Sequence, residues 1–234
     1  MFRQHTDTVR STIKARWLQI IRTELTETRI TDYAKSLNDM LAWYDPAIFT
    51  SAENRAVQQW MVRSRDFLHA QSFGPNALYP TTNWQFYRIW VMSTMTVILK
   101  QPDMIQSLRT EFVSALRGSI SADDGSLEDF RYRDSVEYHV YALYAIIKTI
   151  RVLGSSYRTT DGVEQWPDMT AELWTIVRPA VSFMLRYARG QAVHIEFVKS
   201  GLSSDKTRPE CNKAFVASKC LYVMRELWDA GFVE

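Results

Sequence analysis

Residues that stop helices are scarce in this chain, and they fall between long stretches whose apolar positions recur at helical spacing. The chain has 8 glycines and 7 prolines in 234 residues. The clearest stripe is Val136, Val140, Leu143, Ile147 and Ile150, ending before Gly154; the spacing places all five on one face of a helix. Similar patterns predict helices over Thr8–Leu25, with Ile13, Trp17, Ile20 and Ile21 on one side, and over Ile30–Trp43. Another follows Ser51 as N-cap and carries Val57, Trp60, Met61, Phe67 and Leu68. Asn83–Leu99 is apolar on most sides and is expected at the centre of the fold. Pro102–Leu116 begins with proline in the permitted first turn.

Beyond Gly154, Trp166-Pro167 is expected to open a helix broken or kinked near Pro179 and fading near Gly190. Gln191–Val198 reads as a short strand or a helix turn, and a last helix is expected from Pro209 through Ala214, Ala217, Leu221, Met224 and Trp228. The loop SFGPNALYPTTN is kept from helix by Gly74, Pro75 and Pro80. The prediction is one all-α domain over residues 1–234 with seven or eight helices. Helical hairpins around a central cleft fit this pattern, as does an irregular bundle. No fixed repeat period marks a regular solenoid.

Composition narrows the function classes. A 46% hydrophobic and 13% aromatic chain buries a core. A net charge of +2 from 28 basic and 26 acidic residues, without a basic stripe, argues against nucleic acid. No run of 18 apolar residues is present to span a membrane, and the N-terminal MFRQHTDTVRST lacks the apolar core of a signal peptide. The compartment and the oligomeric state stay open. Cys211 and Cys220 on one helix would lie about 13 Å apart along the axis, too far for a disulfide. The four histidines, His5, His69, His139 and His194, are scattered, and no ligand cluster points to a metal or any other cofactor.

The segment with chemical content is Asp124–Leu143, DGSLEDFRYRDSVEYHVYAL. Arg131 precedes Tyr138 by seven residues, about 700° of helical turn, so in a continuous helix the two share a face. A guanidinium beside a phenol makes tyrosine more acidic. A second element is Thr82-Asn83-Trp84 at a helix start, with Trp90 further on.

Together these residues resemble the alginate lyase superfamily of α/α-toroid polysaccharide lyases. Asp124-Gly125-Ser126, Arg131 and Tyr138-His139-Val140-Tyr141-Ala142-Leu143 resemble the family's Asp-Gly turn, its arginine and its Tyr-His-x-x-Ala-Leu helix. Asn83 matches the asparagine of the family's Asn-His pair, whereas Trp84 stands where histidine is expected. The clear likeness spans roughly residues 80 to 100 and 118 to 150. The resemblance implies a partial α/α toroid, shorter than one with a dozen helices.

It also implies cleavage of an acidic, uronate-containing polysaccharide such as alginate or glucuronan by metal-independent β-elimination. A base removes the C5 proton next to the carboxylate, and the C4 glycosidic oxygen leaves with a proton from an acid. The carboxylate must be neutralised first, the role implied for Asn83 with help from Arg131. Tyr138 is the implied acid and base. An ordinary tyrosine, with pKa near 10, is about one part in a thousand ionised at pH 7, and lowering it by two takes about 3 kcal/mol. An arginine within about 4 Å supplies that, and Arg131 is the expected partner. His139 stands beside Tyr138 as a further catalytic candidate, although its position rotates it about 100° away. Trp84, Arg88, Lys199 and Arg208 are candidate substrate-binding residues, the last two in a basic loop with Lys206.

Every residue also has a plainer role. Tyr138 would be a core-edge tyrosine, Arg131 a partner of Glu128, Asp129 or Asp134, Asn83 a helix N-cap, and His139 a packing residue. A catalytically degenerate lyase-like domain that binds glycan or serves structurally is the competing reading, favoured by Trp84 and by the short chain.

Overall fold

The computed structural model describes residues 2–22, 27–70, 81–155, 157–158, 164–166 and 168–232. Helices dominate: α1 Phe2–Ile20, α2 Glu27–Ala42, α3 Ser51–Ala70, α4 Asn83–Ile98, α5 Pro102–Ser119, α6 Glu128–Arg133, α7 Val136–Leu153, α8 Thr170–Ala188, α9 Ser203–Lys206 and α10 Leu221–Asp229. Two very short strands, β1 Tyr157–Arg158 and β2 Glu164–Trp166, pair antiparallel between α7 and α8.

The inner layer consists of α2, α4, α7 and α10, each packed on the next. Between α4 and α7 the ring pair Tyr87–Tyr141 is followed one turn later by Trp90–Tyr144. Both chains advance in the same sense, so the two helices are parallel. From α7 to α10 the contacts progress likewise, from Tyr144–Tyr222 to Lys148–Glu226. The outer layer holds α3, α5 and α8, which link the inner helices. The carbonyl of Leu68 at the end of α3 meets Arg88 near the start of α4, and the carbonyl of Gly154 after α7 accepts from Met169 just before α8. Helices α4, α7 and α10 thus run one way while α3 and α8 return, an arrangement of α/α toroid type. Helix α4 is buried along nearly its whole length, and the predicted α7 stripe (Val136, Val140, Leu143, Ile147, Ile150) is fully buried.

Local differences have local causes. The N-cap of α3 is Thr50, not Ser51: the Thr50 hydroxyl accepts from the Glu53 N–H at 3.3 Å while Glu53 accepts from the Thr50 N–H at 2.8 Å, a reciprocal capping box. Pro179 lies inside α8 without ending it, and α8 starts at Thr170, after Trp166 has paired in β2. Gln191–Val198 is neither strand nor helix; it makes one bridge, Ile195 to Ala214. The final helix is shorter than predicted, beginning at Leu221, because residues 207–216 form turns that fold back over the start of α7. Cys211 and Cys220 are therefore not on one helix; both are free thiols. The loop predicted before Asn83 lies, over residues 72–80, outside the described residues.

Candidate active site

Asp134 breaks the helix that was to carry Arg131 and Tyr138 on one face. It adopts φ 50° and ψ 53° at the end of α6, a left-handed conformation that aspartate tolerates. Ser135 then caps α7, its hydroxyl accepting from the Tyr138 N–H at 3.3 Å. The face shared in a continuous helix is lost. Arg131 instead turns back: its guanidinium donates to the Ser126 carbonyl at 2.5 Å, the Ser126 hydroxyl at 3.3 Å and the Ser119 carbonyl at 3.0 Å. Arg131 thereby ties the Asp-Gly loop to the end of α5 and is not the arginine at Tyr138.

Two other arginines occupy that place. Arg133 lies over the Tyr138 ring with its guanidinium carbon 4.1 Å from the centroid. Arg208 donates from Nη2 to the Tyr138 phenol oxygen at 2.5 Å. Both reach one fully buried carboxylate, Asp205: Arg133 Nε lies 2.6 Å from Oδ2 and Arg208 Nε lies 3.1 Å from Oδ1. The Ser200 hydroxyl adds a further bond to Asp205 at 2.5 Å. Tyr138 itself is half-buried, with Phe197 and Tyr141 against its ring edges.

The chain after α8 is fastened to the α6–α7 junction. Glu196, buried, accepts from the Ser135 hydroxyl and from the Val136 N–H, which pairs one of the backbone donors left open at the start of α7. Burial raises the Glu196 pKa, opposed by those hydrogen bonds. The N–H groups of Phe197 and Lys199 donate to Asp134, at 2.7 Å to its carbonyl and 2.6 Å to its carboxylate. Phe197 is buried at φ 62°, a left-handed conformation that costs a bulky residue about 1–2 kcal/mol. The surrounding bonds hold it there.

Asn83 heads α4, which runs parallel to α7, so Asn83 and Tyr138 lie in the first turns of adjacent helices at the same end of the inner layer. Asn83 is not the cap, since Thr82 precedes the helix. Its side-chain amide and its backbone N–H both bond Asp129 of α6. Asp129 is buried, its Oδ2 has no partner among the described residues, and burial drives its pKa up to about 7 against those bonds.

The remaining predicted residues divide by exposure. His139 is fully buried; its Nδ1 accepts from the Leu127 N–H at 3.1 Å and its Nε2 bonds the Ala180 carbonyl at 2.9 Å. Since a carbonyl only accepts, Nε2 carries the proton and the ring is neutral. Burial pushes its pKa down to about 4. It joins the Asp-Gly loop to α8 and cannot exchange protons with a substrate. Arg88 is also buried, bonded to Gln85, Leu68 and Glu111, with burial lowering its pKa to about 10. It cross-links α3, α4 and α5 and is not a substrate residue. Trp84 is half-buried and Lys199 exposed, whereas Arg208 meets Tyr138.

The family model for alginate lyase matches residues 1–191. The chain belongs to the alginate lyase family. Comparison with curated proteins and with solved structures returns no match. Membership makes it a polysaccharide lyase at family level, with a polysaccharide as substrate. The Asp-Gly element of the family segment is structural here: Gly125 has φ 78°, and a Cβ on it would lie 2.3 Å from the Pro179 carbonyl oxygen, so only glycine lets the loop reach α8. Arg133 and Asp205 are not singled out by the sequence, and Asp129 enters there only as a possible partner of Arg131. Arg133 had a signal, because Ser135 ahead of an apolar run marks a new helix and shifts which arginine sits beside Tyr138. Asp205 had none, lying in a polar loop far along the chain.

Proposed function

We propose that this alginate lyase family member cleaves a uronate polysaccharide, alginate- or glucuronan-like, by β-elimination with Tyr138 as both base and acid. The observation that carries this reading is the half-buried Tyr138 phenol, held by Arg208 at the same end of the inner layer as Asn83. In this reading Asn83, 4% exposed in the free chain, meets the substrate carboxylate by donating a hydrogen bond from its side-chain amide. An amide nitrogen carries two N–H groups, and Asp129 takes one.

The phenolate of Tyr138 removes the C5 proton and becomes a phenol. The electron pair left at C5 forms the C4=C5 double bond, and the C4–O bond breaks. The phenol then gives its proton to the departing glycosidic oxygen, which restores the phenolate. The C5–H and C4–O bonds break and one double bond and one O–H bond form, so the reaction balances with side chains alone. One residue serves both steps when the C5 proton and the leaving oxygen lie on the same face of the sugar. Trp84 at the family's histidine position supplies no proton-transfer group, which favours this single-residue route.

The test is the ultraviolet absorbance of the unsaturated product, measured on alginate, polymannuronate, polyguluronate and glucuronan. Wild type is expected to raise it on at least one polymer, and Tyr138→Phe to abolish the rise. Folded wild type without activity on any of them would refute the reading and favour a degenerate glycan-binding domain.

A further inference from the structure

We propose that Arg208, from the segment after α8, is a catalytic residue that stabilises the Tyr138 phenolate during elimination, with Asp205 as its positioning residue. The proposal rests on the β-elimination reading and assigns the charge that reading needs. The family match ends at residue 191, so the catalytic centre is completed by chain outside the matched region.

Contact with the reacting atom comes first. Arg208 Nη2 lies 2.5 Å from the phenol oxygen, and its guanidinium carbon is 5.1 Å from the ring centroid. A bond from a cation to the oxygen that takes up and releases the proton favours its charged form. Arg133 adds a second cation, stacked over the ring and also interacting with the Tyr138 hydroxyl.

The charge is fixed in place. Asp205 is 0% exposed in its side chain, while that of Arg208 is 39% exposed. The carboxylate is thus an internal anchor and the guanidinium head remains within reach of solvent and polymer. Two arginines against one carboxylate leave one positive charge beside the phenol. The anchor is itself built: Ser200 donates to Asp205, and Lys206 Nζ donates to the carbonyls of Phe197 at 2.8 Å and Val198 at 3.0 Å, closing the turn that carries both residues. Burial works against the Asp205 carboxylate, but bonds from Arg133, Ser200 and Arg208 hold its pKa below the ordinary value.

The groups facing Tyr138 come from three elements: Arg133 from α6, Arg208 and Asp205 from the C-terminal segment, and Tyr141 from α7 itself. One residue before it in α7, Glu137 pairs with Lys219, which also reaches Glu210. That cluster is held by its own cation, and the 2.5 Å hydrogen bond to the phenol oxygen comes from Arg208, with Arg133 beside it.

The experiment uses the full chain and two readouts, the pH–rate profile of elimination and the ultraviolet titration of tyrosine without substrate. Tyr138→Phe identifies which component of the titration belongs to Tyr138. Arg208→Gln is expected to move that component and the rising limb of the rate profile toward higher pH together. The neutral-pH kcat should fall about 10- to 100-fold, the scale of removing one charge-assisted hydrogen bond to the reacting oxygen, with a smaller change in KM. Arg208→Lys is expected to recover part of the displacement, because it returns the charge without the fork that spans Asp205 and Tyr138. A raised KM with an unmoved titration and rate profile would reduce Arg208 to a substrate contact and overturn the proposal. If wild type eliminates nothing, the lyase reading falls; the titration still reports whether Arg208 acts on Tyr138, so the two failures are distinguishable.

Discussion

His139 and Asp129, both fully buried, titrate against each other, and their opposition predicts a stability profile that neither residue would give alone. Burial holds the His139 pKa at about 4 against an ordinary 6.5. Stability from its neutral form is therefore present above pH 6.5 and is lost as pH falls toward 4. Burial holds the Asp129 pKa at about 7 against an ordinary 3.8. Its contribution has the other sign: it is present below pH 3.8 and is lost as pH rises through 7. Between pH 4 and 6.5 the folded protein binds one proton fewer at His139 and one more at Asp129 than the unfolded chain does. Each site has a slope of about 1.4 kcal/mol per pH unit, and the slopes cancel.

Removing either partner exposes the other. His139→Gln is expected to show stability falling by about 3 kcal/mol, relative to wild type, from pH 4 to 6.5. Asp129→Asn should show it rising by about 3 kcal/mol over the same interval, and the double variant should follow the wild-type slope. Both single variants also lose packing or hydrogen bonds, which displaces the whole curve. The readout is therefore the slope of the difference, not its offset. Urea unfolding at a series of pH values, extrapolated linearly, gives it directly. Parallel curves for wild type and His139→Gln would refute the assignment of a buried neutral imidazole.

Gly125→Ala is expected to destabilise by about 3 kcal/mol in chemical unfolding, because alanine meets both a left-handed backbone and the Pro179 carbonyl. A loss well under 1 kcal/mol would mean that the loop does not sit on α8 in this way. Arg131→Gln is expected to lose about 1–3 kcal/mol of stability through its bonds to Ser119 and Ser126. Arg208→Gln should reverse the balance, with the smaller stability loss and the larger loss of kcat; equal effects would contradict the division of labour between these arginines.

The fold was legible wherever burial is one-sided. The stripe from Val136 to Ile150 packs as its spacing requires, and α4 is central because it is apolar on most sides. The candidate site was legible only in part. A single residue, Asp134, turns left-handed, and that one backbone choice decides whether Arg131 or Arg133 meets Tyr138. Aspartate before a capping serine permits the break but does not require it, and helical periodicity is blind to it. Asn83 reads as a cap by composition, whereas the structure gives the cap to Thr82 and turns Asn83 toward Asp129. Arg208 reads as a substrate-binding candidate in a basic loop and not as the arginine at Tyr138, because nothing in its own neighbourhood announces a partner 70 residues earlier.

That distance has a consequence for how the site assembles. Tyr138 lies in the first turn of α7, and that turn is closed by Ser135 and by Glu196 of the C-terminal segment. The same segment, ten residues or so further on, delivers Asp205 and Arg208 to the phenol. Capping the helix and charging its tyrosine are therefore one docking event. A change that frees the segment from Asp134 would leave α7 under-capped and Tyr138 without its guanidinium together. The start of α7 and the guanidinium at the Tyr138 phenol are thus held by one and the same segment.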